Sequence, residues 1–310
     1  MCRFGRYTRI IFAVHASFIL FMGSCTKSYD VRVDGNRPPN YKSIPTLKID
    51  NYVNRVFIDF LGREATEMER NEWVNLLKKN GLAYKTRDSL IQILQWDSAF
   101  RPGDSSYRHA YSQRLYDVSK ARFLEGASDP DIKQFVGNLE FAIKIARLEG
   151  DSIRVYAAQD AKAKFNNVLI SRQRYRLHEI GYSQMVACMI NNPIYDGINM
   201  NSFNYVIASF DDVLRRNPTQ DEFTRAYQII EKNEPQEIFG VWAANKNEYA
   251  QALTETDGFF EAQIRWAFYL LVQREPLTHE VNQHLQSYLA NQHIEDVQRS
   301  IATTDEYAQF

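Results

Sequence analysis

One helical unit occurs three times in the chain, and this internal repetition constrains the fold more than any other feature. The first copy aligns with the second without a gap. The equivalent pairs are Tyr52 with Tyr205, Phe57 with Phe210, Leu61 with Leu214, Arg63 with Arg216, Thr66 with Thr219 and Glu69 with Glu222. In the third copy the corresponding residues are Phe268, Arg274 and Glu280. Repeats of this size are typical of stacked helical units, so the repetition predicts a helical fold.

The spacing of apolar residues predicts that each copy contains three helices. In Tyr52–Leu61 the apolar residues recur at i, i+1, i+4, i+5, i+8 and i+9, which is one face of an α-helix. We expect this helix to begin near Asp50, as its N-cap, and to end at Gly62. Thr66 and Glu69 then match the capping-box pattern, in which hydroxyl and carboxylate accept free backbone N–H groups of the next helix. A third helix closes the copy.

These patterns divide the chain into six predicted parts. They are a lipoprotein signal peptide at 1–24, a flexible tether at 25–45, helical repeat 1 at 46–100, a helical insertion at 101–200, helical repeat 2 at 201–260 and helical repeat 3 at 261–310. Within the insertion, Asp129-Pro130 is typical of a helix start and Gly150 of a helix end, and a longer helix is expected from about Phe165 to Ile190. Alternating strand runs with hairpin turns are not found. The predicted fold class is therefore all-α, a helical repeat or bundle with three divergent copies of a three-helix unit and a helical insertion.

The N-terminus has the pattern of an export signal. Three arginines and no acidic residue precede the apolar run Ile10–Met22, which is shorter than the roughly 20 residues that span a bilayer. The stretch Met22-Gly23-Ser24-Cys25 resembles the bacterial lipobox. That resemblance implies diacylglyceryl attachment to the thiol of Cys25, cleavage before it, and stable membrane anchoring by two or three acyl chains. Residue 26 is Thr rather than Asp, which favours the outer membrane and leaves its periplasmic or surface face open.

Composition and charge narrow the function classes. Without the signal peptide the chain has 286 residues, enough for a full core, and 34 basic against 38 acidic residues, because three of the 37 basic residues lie in the signal. The resulting formal charge of −4 and the exported location argue against nucleic acid as a partner. Cys188 is the one cysteine left after Cys2 and Cys25, and its apolar neighbours predict a buried side chain rather than a nucleophile.

The first copy resembles a known type of repeat. Its run Phe60-Leu61-Gly62-Arg63-Glu64, followed by Trp73, is similar to the uncharacterised L-G-R-E helical repeat of secreted bacterial proteins, which is akin to the phycobilisome-linker type of helical domain. The segment Tyr52–Trp73 also resembles, more weakly, the helical domain of planctomycete cell-surface proteins that accompany a cytochrome module. These resemblances imply an all-helical interaction or spacer module and no reaction. A Cys-x-x-Cys-His motif is missing from the sequence, so no haem is expected, nor any other cofactor.

Acidic and basic residues recur in pairs with a spacing of six residues. The pairs are Arg63 with Glu69, Arg216 with Glu222 and Arg274 with Glu280. Each arginine is expected near the end of one helix and each glutamate in the first turn of the next, where the helix dipoles favour those charges. We interpret the pairs as a repeated structural clasp between helices. Acid–base catalysis by the same residues is the alternative.

Two further groups of residues suggest binding sites. His279 and His284 flank Glu280 like a zinc-protease motif, but a spacing of five residues separates the imidazoles by about 140° around a helix, so no metal site is expected. A local basic stretch at 162–176 consists of Lys162, Lys164, Arg172, Arg174 and Arg176. A solvated helix face is the simpler interpretation of this stretch, and contact with an anionic envelope polymer is the alternative.

No phosphate-binding loop, nucleophile elbow, dinucleotide turn or calcium loop occurs in the sequence. We therefore expect a lipid-anchored envelope protein that acts as a non-catalytic interaction or scaffold module, with a protein partner in the envelope. A glycan- or peptidoglycan-binding lipoprotein is the first alternative. A hydrolase whose catalytic residues are dispersed along the chain is the second.

Overall fold

α-Helices form most of the chain in the computed structural model, which describes residues 41–310. The fifteen α-helices of this part are α1 (Thr46–Leu61), α2 (Glu67–Lys79), α3 (Tyr84–Trp96), α4 (Tyr107–Phe123), α5 (Asp129–Glu149), α6 (Ser152–Arg176), α7 (Tyr182–Ile190), α8 (Pro193–Asn199), α9 (Ser202–Leu214), α10 (Gln220–Lys232), α11 (Lys246–Thr254), α12 (Asp257–Val272), α13 (Thr278–Asn291), α14 (Ile294–Ala302) and α15 (Asp305–Ala308). A short 3₁₀ helix, Tyr41–Ser43, precedes α1. The all-α class predicted from the sequence is confirmed.

Each copy of the repeated unit consists of two packed helices followed by a closing helix. The copies are α1 to α3, α9 to α11, and α12 to α14. Phe57, Phe210 and Phe268 occupy equivalent places on the first helix of their copies, and their side chains are 0, 0 and 5% exposed. All three belong to the continuous hydrophobic core of the protein. The repetition in the sequence therefore corresponds to a repetition in how the first helix is buried.

The second copy contains a β-hairpin that sequence reasoning overlooked. Strands β1 (Gln236–Ile238) and β2 (Val241–Ala243) pair antiparallel between α10 and α11, with Gln236 opposite Ala243. Phe239 and Gly240 connect them with φ angles of +54° and +79°. Positive φ at both central residues is the requirement of a tight two-residue hairpin turn. Strands of three residues are too short to produce the alternating pattern by which strands are recognised.

The two ends of the described chain pack against each other. Tyr52 on α1 donates a hydrogen bond to the carbonyl of Ala302 at 3.3 Å, and Arg55 donates to the carbonyl of Tyr307 at 2.8 Å. The Tyr307 hydroxyl in turn donates to Asp59 at 2.7 Å. These bonds join the first helix of copy one to the end of copy three, so the copies form one closed body rather than an open array.

The first helix begins earlier than predicted, and the folded residues include 41–45, the last part of the predicted tether. Pro45 is the N-cap of α1 and has an extended backbone with ψ at 144°, so the helix starts at Thr46, and Asp50 lies inside it rather than at its cap. Tyr41 falls within the predicted tether, but its hydroxyl donates to the Asp305 carboxylate at 2.8 Å. The side chain of Tyr41 also packs edge-on against Phe310. Residues 41–45 are therefore part of the folded body.

The insertion differs from the prediction at two boundaries. The long helix expected from about Phe165 to Ile190 is two helices, α6 and α7, because the chain turns at His178, whose φ is +59°. A left-handed residue ends an α-helix, and a histidine gives little warning of it in the sequence. The cap of α5 is Ser128 rather than Asp129, since the Ser128 hydroxyl accepts the backbone N–H of Asp131 at 3.2 Å.

Helices α5 and α6 form a long hairpin that packs mainly on itself. These two helices share the most extensive helix–helix contact among the described residues. From residue 133 to residue 164 only Ile143 and Ala146 are buried, whereas the base of the hairpin buries Ile132 and Phe165 in the core. The outer turns of the hairpin therefore extend away from the core into solvent. None of the helices in residues 41–310 is long and apolar enough to serve as a membrane span.

A buried ion pair connects the insertion with two of the copies. Arg108 on α4 lies 3.4 Å from the carboxylate of Glu295 on α14, and both side chains are 4% exposed. The Tyr175 hydroxyl on α6 donates to the same carboxylate at 2.6 Å, and Arg108 donates to the carbonyl of Gln95 at 3.1 Å. Such a charge is tolerated in the core because its partners satisfy it. No local spacing of residues in the sequence predicts this pair, because Arg108 and Glu295 are 187 residues apart.

Candidate functional site

The Arg–Glu pairs form the same ion pair in all three copies. The N–O distances are 2.8 Å for Arg63 with Glu69, 2.6 Å for Arg216 with Glu222 and 2.7 Å for Arg274 with Glu280. Each arginine follows the first helix of its copy, and each glutamate lies in the first turn of the second helix. The pair therefore spans the loop that connects the two helices.

Each pair makes further contacts that recur from copy to copy. The second carboxylate oxygen accepts the backbone N–H at the start of the second helix, from Thr66 at 2.8 Å, Thr219 at 2.8 Å and Leu277 at 2.7 Å. The guanidinium also lies over the ring of the equivalent phenylalanine, at 5.1 to 5.4 Å from its centre. In copy three Leu277 has no side-chain oxygen, so only the glutamate half of the capping box exists there.

The electrostatics of the pairs favour a structural role. Burial alone would raise the pKa of Glu69, but hydrogen bonds from Arg63 and Tyr107 outweigh it and lower the pKa to about 2. Hydrogen bonds from their arginines likewise lower the pKa of Glu222 and of Glu280 to about 2. A group of this acidity neither carries a proton at neutral pH nor accepts one readily. These carboxylates are therefore poorly suited to general acid–base catalysis.

The two histidines of the third copy, His279 and His284, lie in different surroundings. His284 lies beside the ring of Phe268 at 6.0 Å, and burial lowers its pKa, while His279 is exposed. Glu280 between them is held by Arg274. Within residues 41–310, no three histidine, cysteine, aspartate or glutamate side chains come together closely enough to hold a metal ion.

Of Cys25 and Cys188, the structure describes only Cys188. Cys25 lies outside the described residues. Cys188 on α7 is a free, partly buried thiol, and burial raises its pKa. A raised pKa keeps the sulfur protonated near neutral pH, and the protonated form is not the nucleophile. The geometry therefore gives Cys188 no activated character.

Most of the basic stretch at 162–176 is already paired. Lys162 lies 2.7 Å from Glu140, Lys164 lies 2.7 Å from Asp160, and Arg174 lies 3.5 Å from Glu179. Arg172 approaches Asp129 at 3.7 Å, and Arg176 contacts the ring nitrogen of His109 at 2.9 Å. Neighbouring carboxylates reduce the positive potential that the stretch presents to solvent. This pairing favours a solvated, internally compensated face over a site for an anionic polymer.

The tip of the α5–α6 hairpin exposes several large apolar side chains. Phe141 and Leu148 on α5 are 66 and 85% exposed, and Ile153 and Tyr156 on α6 are 81 and 75% exposed. The turn at Gly150 brings the ends of the two helices together, so these residues share the outer turns of the hairpin. Single exposed apolar residues are ordinary, but a cluster of them marks a contact surface. We call these four residues the apolar tip.

An apolar groove lies at the base of the same hairpin. Its volume is about 750 Å³, and its larger lining residues are Phe135 and Leu139 on α5, Phe165 on α6, and Pro193 and Ile194 on α8. Small residues leave the space open, and they are Ala127, Ala142, Ala161 and Gly197. Phe135 is stacked on Phe165 with 5.6 Å between ring centres, yet it remains 45% exposed. Ile132 and Phe135 are three residues apart on α5, yet Ile132 is buried in the core whereas Phe135 faces the groove.

Sequence reasoning missed both surfaces on the hairpin. The available signal was the position of Leu148, Ile153 and Tyr156 on either side of the predicted helix end at Gly150. Large apolar residues next to a polar turn do not fit a simple buried stripe. No protein-family model, curated protein or solved structure matches the chain significantly.

Proposed function

We propose that this chain is a lipid-anchored, non-catalytic interaction protein of the cell envelope that binds a partner protein through the α5–α6 hairpin. The observation that carries the proposal is the apolar tip. Four large apolar side chains, between 66 and 85% exposed, occupy the last turns of a hairpin that packs mainly on itself. Burying such a surface against a partner is favourable at about 25 cal/mol per Å² of apolar area.

The charges around the tip favour a protein over an anionic polymer or lipid surface. Basic residues Lys144, Arg147 and Arg154 alternate there with acidic residues Glu149 and Asp151. Arg154 is paired with Glu149 at 2.5 Å. An apolar centre with a polar rim of both signs is the usual composition of a protein–protein interface. A surface that binds anionic lipid would instead show an excess of basic residues.

The anchoring part of the proposal rests on the lipobox resemblance at Cys25. Fifteen residues, 26–40, separate this cysteine from Tyr41, the first residue that the structure describes. At about 3.3–3.6 Å for each extended residue, the attachment point lies at most about 55 Å from the body. A partner would therefore be an exported or membrane-associated protein of the same compartment. The resemblance to the L-G-R-E repeat of secreted proteins supports the same class of protein.

Site-specific photocrosslinking of the full chain in cells tests the interaction. A photoreactive phenylalanine analogue replaces Tyr156 at the tip, and a matched control replaces Tyr269 on α12, which is 61% exposed. We expect a crosslink of one defined mass to a single identified envelope protein from position 156 and none from position 269. The double substitution L148D/I153D should abolish this crosslink, because it introduces charge into the proposed contact, whereas M68D on the exposed face of α2 should not.

Three results would contradict the proposal. Equal crosslinking at positions 156 and 269 would mean that the tip is not a preferred contact. A crosslink to phospholipid would assign the tip to the membrane, and a product of twice the chain mass would assign it to self-association. A thermal melt of L148D/I153D and M68D checks that both variants remain folded.

A further inference from the structure

A small polar pocket lies on the other side of α6, away from the apolar groove. It is formed where α7 packs between α6 and α11. Its volume is about 190 Å³, below the roughly 300–1,000 Å³ of pockets for drug-sized ligands. The pocket therefore suits a molecule of the size of one sugar ring or a dipeptide.

The rim of the pocket is lined by carboxamide side chains from three helices. Asn167 comes from α6, Gln184 from α7, and Asn247 and Gln251 from α11, and all four are exposed. Asn247 and Gln251 are four residues apart, so both lie on one face of their helix. A carboxamide offers an acceptor and two donors on one planar group, which complements another amide or a hydroxyl.

The floor of the pocket contains a buried carboxamide, that of Asn191, and one of its atoms has no hydrogen-bond partner among the described residues. Asn191 ends α7, lines the pocket and is 7% exposed. Its amide nitrogen donates to Asn247 at 3.1 Å, which orients the group, and its Oδ1 atom has no hydrogen-bond partner among the described residues. A buried acceptor without a donor is costly. The oxygen is closed to solvent, so a ligand donor meets it when the Asn191 carboxamide turns toward the pocket, and the new hydrogen bond removes that cost. An anion without a proton cannot supply that donor.

Among the described residues, one basic side chain lines the pocket, and it does not make the pocket a site for anions. Arg174 lines the pocket and lies 3.5 Å from Glu179, so its charge is partly compensated. Ile180, Ala187 and Cys188 also line the pocket, and among residues 41–310 it has no second basic residue. The composition is therefore that of a site for a neutral polar molecule.

From the buried acceptor and the carboxamide rim we infer that this pocket binds a small neutral ligand that carries a secondary amide. The shared chemistry is an N–H and C=O pair, presented either by an N-acetylated sugar or by a short peptide. This site is separate from the hairpin surface, so the inference does not depend on the proposed interaction function.

Cys188 provides a reporter inside the pocket. Alkylation of its thiol by N-ethylmaleimide is followed in the full-length protein by mass spectrometry of the peptide that contains residue 188. N-acetylglucosamine and the blocked, uncharged peptide N-acetyl-alanine amide are the two amide probes, and glucose and inorganic phosphate are the controls. We expect one amide probe to slow alkylation in a saturable manner, and neither glucose nor phosphate to do so at the same concentrations.

Rim substitutions connect the protection to the carboxamides. N167A/Q251A removes two exposed amides that do not hold Asn191, and we expect about tenfold weaker binding of the protecting probe, as two ordinary hydrogen bonds are lost. The matched control N282A/Q283A removes two exposed amides from α13, outside the pocket, and should bind as the wild type does. Because both changes are on the surface, we expect the folded state to survive them.

The inference is overturned if neither amide probe slows alkylation, or if N167A/Q251A is protected as well as the wild type. Protection by phosphate alone would show an anion site instead. Protection by N-acetylglucosamine but not by N-acetyl-alanine amide would identify the sugar as the source of the amide, and the reverse would identify a peptide. A hairpin that fails to crosslink a partner leaves each of these outcomes unchanged.

Discussion

Removal of one clasp glutamate should cost more in copy one than in copy two. In copy one the carboxylate of Glu69 receives two N–H groups of Arg63, the backbone N–H of Thr66 and the hydroxyl of Tyr107 at 2.7 Å. Tyr107 is 3% exposed, so water does not readily replace the lost acceptor. In copy two the carboxylate of Glu222 is bound only by Arg216 and Thr219.

The contacts set the expected free energies. Loss of a helix cap costs about 0.5–2 kcal/mol, and an exposed ion pair contributes about 0–1 kcal/mol. We therefore expect about 1–2 kcal/mol for Glu222→Ala. Glu69→Ala also leaves the buried hydroxyl of Tyr107 without its acceptor, which adds about 1–3 kcal/mol. The unfolding free energy should thus fall by about 2–5 kcal/mol for Glu69→Ala.

The pH dependence of stability supplies a second measurement. The pKa of Glu69 is about 2 in the folded protein, below the ordinary 4.5. Because the folded pKa is depressed, the stabilisation is present above about pH 4.5 and is lost as the pH falls towards 2. One pKa unit corresponds to about 1.4 kcal/mol, which limits the contribution to near 3 kcal/mol, and solvent around the pair reduces it to about 1–2 kcal/mol.

Urea unfolding followed by helical circular dichroism measures these differences at pH 7 and pH 3. The wild type should lose stability between the two pH values, and Glu69→Ala should lose less, because it lacks the group that titrates. Glu64→Ala is the control, since Glu64 is exposed and outside the clasp. A double-mutant cycle with Tyr107→Phe should show a coupling of about 1 kcal/mol with Glu69→Ala. Equal costs for Glu69→Ala and Glu222→Ala, or no coupling to Tyr107, would refute the argument.

Three further predictions concern the anchor and the core. Cys25→Ala should move the protein from the detergent phase to the aqueous phase in a phase-partition assay, and a variant that stays with membranes after a carbonate wash would contradict the lipobox interpretation. Phe57→Ala should lower the unfolding free energy by about 3–5 kcal/mol, as for a fully buried aromatic, and a loss below 1 kcal/mol would be inconsistent with its burial. Glu295→Ala leaves Arg108 buried without its partner, so we expect a loss of about 3–5 kcal/mol in urea unfolding, against less than 0.5 kcal/mol for the exposed Glu255→Ala.

Local signals in the sequence predicted the helical class and several boundaries. Thr66 and Glu69 form the expected capping box at the start of α2, and Gly62 ends α1 with φ at +75°. Such signals work because they depend on groups within four residues of each other. The repeated phenylalanines and Arg–Glu pairs were visible for a similar reason, since a fixed spacing within each copy is preserved.

Features that depend on distant residues could not be predicted in this way. Tyr41 joins the folded body because Asp305, 264 residues further on, accepts a hydrogen bond from its hydroxyl group. Arg108 and Glu295 are 187 residues apart, and neither has a local pattern that indicates burial. The break at His178 depends on a left-handed backbone conformation that histidine adopts without a sequence signature.

The comparison of the three copies also indicates where function is located. In every copy the shared arginine pairs with the glutamate and lies over the ring of the phenylalanine, so the repeated residues are occupied in holding the helices together. The apolar tip and the apolar groove involve residues that the repetition does not include, and they lie mainly in the insertion. The amide-lined pocket follows the same rule, since it joins insertion helices α6 and α7 to α11. Helix α6 contributes Phe165 to the groove and Asn167 to the pocket, on different faces. The repeats therefore provide the frame, and the insertion carries most of the residues of the proposed binding surfaces.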